Sequence, residues 1–129
     1  MPDPLNLTGK WGGVFSYPSD YAPTTPFLAD IIEEAGAFSG TTIEPDLYSD
    51  SPANARITGH RSGRSVDFTK VYPGRRDGYA NPVDYVGQLS EDGLVITGVW
   101  SLLQWNGEFE MTRETGLQVA EEERAEVEV

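Results

Sequence analysis

The sequence predicts an all-β protein, an eight-stranded up-and-down antiparallel β-barrel with one closed and one open end. Three observations carry this. The 14 glycines and 9 prolines are spread along a chain with 11% aromatic residues, which favours short strands and turns over sustained helices. Apolar and polar residues alternate with a period of two in successive short segments. An apolar-x-glycine phrase then recurs in four of them, at Phe38-Ser39-Gly40, Ile57-Thr58-Gly59, Tyr85-Val86-Gly87 and Ile96-Thr97-Gly98. Glycine inside a strand weakens it unless the sheet must bend there, so four such phrases point to a sheet that coils shut.

The strands follow in order. Asn6 to Tyr17 places Trp11, Gly13, Phe15 and Tyr17 on one face and Lys10, Gly12, Val14 and Ser16 on the other. Pro26 to Glu34 fits a helix turn or a strand by its own pattern. The Glu-Ala-Gly-Ala that follows, leading into Phe38 to Glu44, reads as a hairpin and selects strand. Ala55 to Arg61, Ser65 to Tyr72, Val83 to Ser90, Leu94 to Leu103 and Asn106 to Glu114 complete the set, each bounded by Gly, Pro, Asn or Asp.

The connections sort by length. Those after the first, third and fifth strands are long (Pro18 to Thr25, Pro45 to Asn54, Pro73 to Pro82), whereas Ala35-Gly36, Ser62-Gly63-Arg64 and Glu91-Asp92-Gly93 are tight turns. In an up-and-down barrel odd connections share one end and even ones the other. One end is therefore expected to be closed and the other open and bordered by loops.

Composition excludes several classes of function. A chain of 129 residues suits one domain, assigned to residues 1–119, with 120–129 as an acidic flexible tail. Nine basic against 21 acidic residues leave a net charge of −12, ill-suited to neutralising nucleic-acid phosphates. Cysteine is absent, so no disulfide or thiolate-metal site is available. No apolar run approaches a membrane span, and the N-terminal stretch lacks a secretory core, so a soluble, cytoplasmic protein is expected. The single histidine, His60, has outward parity, and no metal or cofactor is expected. Nucleophile, phosphate-loop and zinc-protease motifs are all missing, and Asp67, Asp84, Glu108 and Glu110 read as a solvated outer face.

With Gly9-Lys10-Trp11 opening the first strand and Arg113 near the end of the last, the chain resembles the calycins: lipocalins, fatty-acid-binding proteins and avidins. The resemblance implies that Gly9, Trp11 and Arg113 form a structural signature at the closed end, the guanidinium lying over the indole. Leu7 to Trp11 and Val99 to Leu103 are especially similar to avidins. Gly13, Tyr17, Thr42 and Phe109, however, stand where that family places its biotin-binding polar groups, which argues against biotin as the ligand.

The inward face of the fifth strand reads Val66, Phe68, Lys70 and Tyr72, one cation among apolar side chains. A buried lysine is costly without a partner. Ile57 and Gly59 on the fourth strand and Tyr85 on the sixth are expected to face Lys70, with Trp100 and Phe15 nearby. Lys70 is therefore the first candidate to meet a ligand's polar head, with Tyr72 and Tyr85 as hydrogen-bonding partners and Phe15, Ile57, Phe68 and Trp100 as apolar lining. A pairing of Lys70 with Glu33 or Glu44 is the competing reading. Arg61, inward near the closed end, reads as structural. Tyr21, Tyr48, Arg75, Arg76, Tyr79 and Trp105 are expected around the mouth as a lid, a partner surface or ordinary loop residues.

The expected function is binding of a small amphiphilic or anionic ligand inside the barrel. Two alternatives stay open: an interaction module whose interior is filled by its own side chains, and a barrel enzyme that acts by shaping its substrate. Oligomeric state is not set by these residues, and a homo-oligomer is compatible with them.

Overall fold

The computed structural model of the chain describes residues 5–17, 24–44, 52–73 and 81–114. It is an all-β closed barrel of eight strands in chain order: β1 (Gly9–Phe15), β2 (Thr25–Glu34), β3 (Ala37–Glu44), β4 (Ala53–Ser62), β5 (Ser65–Val71), β6 (Val83–Leu89), β7 (Val95–Leu102) and β8 (Trp105–Arg113). Each strand pairs antiparallel with the next, and β8 returns to β1 through a register running from Trp11↔Arg113 to Phe15↔Phe109.

The ambiguous PFLADIIEE segment is a strand with strict alternation: Thr25, Phe27, Ala29, Ile31 and Glu33 point inward, and the residues between them outward. Its helix-like composition is overridden because only the two-residue period puts Phe27, Ala29 and Ile31 on one buried face. Ala35 and Gly36 join β2 to β3 with φ of 50° and 87°. Positive φ at both positions defines the primed turn that suits twisted hairpins.

The bending glycines are set by close approach. A Cβ on Gly59 would collide with the Asp67 carbonyl oxygen and the backbone of Phe68, its partner on β5. Gly98 meets the same constraint against the Val86 carbonyl. Sheet curvature thus brings backbone where a side chain would otherwise stand.

Connections 35–36, 63–64 and 90–94 gather at one end, called lower here, and the opposite ends of the same strands, at Phe15, Thr25, Glu44, Ala53, Val71 and Val83, mark the other, upper end. The seventh connection, 103–104, is short although it belongs to the upper end. Between the ends, one continuous core runs from Leu7 and Trp11 through Ile57, Phe68 and Ile96 to Trp100.

Two substitutions test these local arguments. Ala35→Asn, which relieves a non-glycine residue in the left-handed region, is expected to stabilise the fold by about 0.5–1 kcal/mol, read from denaturant midpoints. Gly59→Ala is expected to destabilise it by about 1–3 kcal/mol in the same measurement, because the β5 backbone at Asp67 and Phe68 must move.

Candidate functional site

The lower end is a structural plug. Trp11 is fully buried and donates its indole N–H to the Leu7 carbonyl at 2.9 Å. The Arg113 guanidinium lies 4.5 Å over that indole and donates to the carbonyls of Asn6, Thr8 and Gly93 at 2.7, 3.1 and 3.1 Å. Gly9 opens β1 beside it, where a Cβ would meet Arg113 Nη1. Such an arginine-indole contact contributes about 1 kcal/mol or more when desolvated. Arg61 reaches from β4 to Glu33 on β2 in a two-pronged pair at 2.7 and 2.9 Å, and the same carboxylate accepts the Leu7 amide at 3.0 Å. Arg61 is therefore structural, paired with a strand-two glutamate.

The upper interior is different in kind. Lys70, 4% exposed, donates from Nζ to Glu44 Oε1 at 3.0 Å, and the Tyr72 hydroxyl donates to the same oxygen at 2.7 Å. The ammonium stands 4.6 Å from the Phe15 ring centroid, 4.9 Å from Tyr72 and 5.3 Å from Tyr85. Lys70 and Glu44 sit on β5 and β3, with β4 between them. Ala53 and Ala55, small inward residues of β4 that cluster with Tyr72, keep that path clear.

Burial pushes the Lys70 amine below the ordinary lysine value, against the charge and hydrogen bond of Glu44, which pull it up. Burial likewise pushes the Tyr85 phenol well above its ordinary value, and the Glu44 charge adds to the rise.

The cluster retains unused hydrogen-bonding capacity. An ammonium has three donors, of which Glu44 takes one. Among the described residues no donor meets Glu44 Oε2, and Thr42 Oγ1, one inward position below Glu44 on β3, is buried without a partner. Buried polar groups in native structures are almost always satisfied, so an orphan hydroxyl beside a half-used ion pair is a notable departure.

The residues expected around a ligand are all buried in the barrel: Phe15, Ile57, Phe68, Lys70, Tyr72, Tyr85 and Trp100. Their detailed relations differ from expectation in three respects. Val83, and not Tyr85, stands opposite Lys70 on β6, because Tyr85 pairs with Phe68 and stacks on it at 4.6 Å. Gly59 likewise pairs with Phe68, leaving Ile57 as the β4 partner of Lys70. Trp100 packs on Phe15 and Tyr17 and donates its indole N–H to the Ser16 carbonyl at 2.8 Å, so it lines the upper interior without reaching the lysine cluster.

The middle of the barrel is occupied by rings. Phe68 lies within 5.9 Å of Phe38 and 5.8 Å of Phe109, and Tyr85 within 5.1 Å of Phe109. A recess of about 750 Å³ lies instead on the outer wall, over outward-facing Lys10, Leu28, Asp30, Ile43 and Arg56 of β1 to β4. Lys70, Glu44 and Tyr72 do not line it.

Glu44 is the member of the site that a reading centred on Lys70 gives least weight, although it shares the inward parity of Phe38, Gly40 and Thr42. His60 is exposed, opposite Asp67 on β5, and Asp67, Asp84, Glu108 and Glu110 all face outward. Trp105 is 39% exposed at the upper end. Tyr21, Tyr48, Arg75, Arg76, Tyr79 and the acidic tail lie outside the described residues. No group of three or more metal-ligating side chains is assembled among the described residues.

The geometry defines a closed eight-stranded up-and-down β-barrel with a buried lysine-glutamate-tyrosine cluster in its upper interior. No protein-family model matches this chain, and no curated protein matches it in sequence.

The raised Tyr85 phenol has a measurable consequence. Between the ordinary tyrosine value near 10 and the raised one, the folded state keeps a proton that the unfolded chain gives up, so stability falls as pH rises through that window. Tyr85→Phe retains the ring stacked on Phe68 and is expected to flatten this alkaline limb, seen by comparing urea midpoints below and above pH 10 with those of the parent chain.

Proposed function

We propose that the upper interior of the barrel binds a small amphiphilic ligand, with its polar head on Lys70, Glu44 and Tyr72 and its apolar part against Phe15, Tyr85 and Trp100. The observation that carries this reading is the half-used polar cluster: two ammonium donors and one carboxylate oxygen without a hydrogen-bond partner among the described residues, and the Thr42 hydroxyl buried with none. A well-packed apolar substitute for a buried ion pair is often as stable or more so, so stability alone is a weak reason for this pair. An anionic head would take the free lysine donors against the field of Glu44. A head that both accepts and donates is the better match.

The Gly9, Trp11 and Arg113 arrangement at the lower end supports placing the barrel among calycin-like folds, whose interiors commonly serve as ligand sites. One observation favours a second reading. The contacting rings of Phe38, Phe68, Tyr85 and Phe109 fill the middle of the barrel, as in an interaction module that binds nothing inside.

Native mass spectrometry separates the two. On the ligand reading a small molecule accompanies the gently purified protein. It is lost from the double variant Lys70→Met/Glu44→Leu, whose denaturation midpoint holds or rises because both charges leave together. Wild-type protein without any bound molecule, or full retention of it in the double variant, refutes the ligand reading. The single variant Lys70→Met strands Glu44 and is expected to lose about 3–5 kcal/mol of stability.

A further inference from the structure

Resting on the ligand reading above, we infer that Lys70 is a carbonyl-capturing amine, and that the ligand class includes flat, apolar aldehydes held as a protonated imine. Four features meet at this one side chain. The amine is primary and buried in the upper interior. A carboxylate oxygen 3.0 Å from Nζ can take its proton. The Tyr72 hydroxyl, bonded to that same oxygen at 2.7 Å, holds the carboxylate in place and is a positioning residue. Rings of Phe15, Tyr72 and Tyr85 surround the nitrogen and supply faces on which a conjugated aldehyde can pack.

The chemistry balances without an added oxidant or reductant. The ammonium gives one proton to Glu44, and the freed nitrogen lone pair forms a bond to the aldehyde carbon while the carbonyl π pair moves to oxygen. Glu44 returns that proton to the oxygen, giving a hydroxyl. A second nitrogen proton follows the same route, the carbon-oxygen bond breaks, and water leaves. Ammonium plus aldehyde has become iminium plus water, and Glu44 is a carboxylate at both ends of the sequence.

The surroundings favour this product. The iminium carries the same single positive charge in the same place, so the ion pair with Glu44 and the attraction of the three ring faces persist. A water-poor setting favours the step that expels water. The depressed lysine value described above acts on the attack step alone, where it raises the fraction of nucleophilic amine.

The sequence makes the test clean. Lys10 and Lys70 are the only lysines, and Lys10 is exposed on β1 with its side chain outward. The full chain is incubated with trans-cinnamaldehyde and cyanoborohydride, then digested and mapped by mass spectrometry. The expected result is one reduced adduct on Lys70 and none on Lys10. That adduct persists in Lys10→Arg, disappears in Lys70→Arg, and forms more slowly with a displaced pH profile in Glu44→Gln. The wild-type map decides the matter even if a Lys70 variant fails to fold. An adduct confined to Lys10 or the terminal amine overturns the inference. Cinnamyl alcohol, which cannot form an imine, separates this failure from that of the underlying reading. Alcohol bound in native mass spectrometry with Lys70 unmodified by the aldehyde sinks the imine and leaves the ligand site standing. Neither compound bound sinks both.

Discussion

Closure of β1 onto β8 is the contact on which the rest of the molecule depends. Its register, Trp11↔Arg113 through Phe15↔Phe109, turns an eight-stranded sheet into a ring with no unpaired edge. Only in that ring do alternate residues of all strands share one interior. The same pairing sets Arg113 over Trp11 at the base and Phe15 beside Lys70 at the top. Base and site are thus two ends of a single strand pair.

Each end of the interior contains a buried ion pair that spans an intervening strand: Glu33 with Arg61 across β3, and Glu44 with Lys70 across β4. Their surroundings give them different characters. At the base, both carboxylate oxygens of Glu33 are engaged, one of them also by a backbone amide, and the guanidinium makes a further bond to the Gly63 carbonyl. That pair is saturated and fixes the plug. At the top, Lys70 and Tyr72 converge on one oxygen of Glu44 and leave the other without a described donor. Saturation suits a joint, whereas spare capacity suits recognition.

The barrel was legible because its signals are local. Alternation in each strand, the apolar-x-glycine phrases and the sorting of turns are properties of short windows, and the eight strands fall close to where these signals put them. Much of the site was legible for the same reason: parity alone sends Lys70, Tyr72, Phe68, Tyr85 and Trp100 inward. The choice between Glu33 and Glu44 as the partner of Lys70 was not. It depends on which residues face each other two strands apart, and so on barrel radius and strand stagger. Tyr85 shows the same limit, since a small difference in stagger places Val83 opposite Lys70 and puts Tyr85 against Phe68. Filling of the middle by Phe38, Phe68 and Phe109 depends on summed side-chain volumes against the enclosed space, which no short window encodes.

The plug also bears on how the chain is made. Arg113 bonds to Asn6 across 107 positions of sequence, so the base stays incomplete until nearly the whole barrel has been synthesised. A nascent chain leaving the ribosome carries β1 with one free edge and its indole unshielded until β8 emerges. Contacts of such long sequence separation slow folding, and an unpaired strand edge invites association with neighbouring chains. The last strand to appear is the one that makes the first safe.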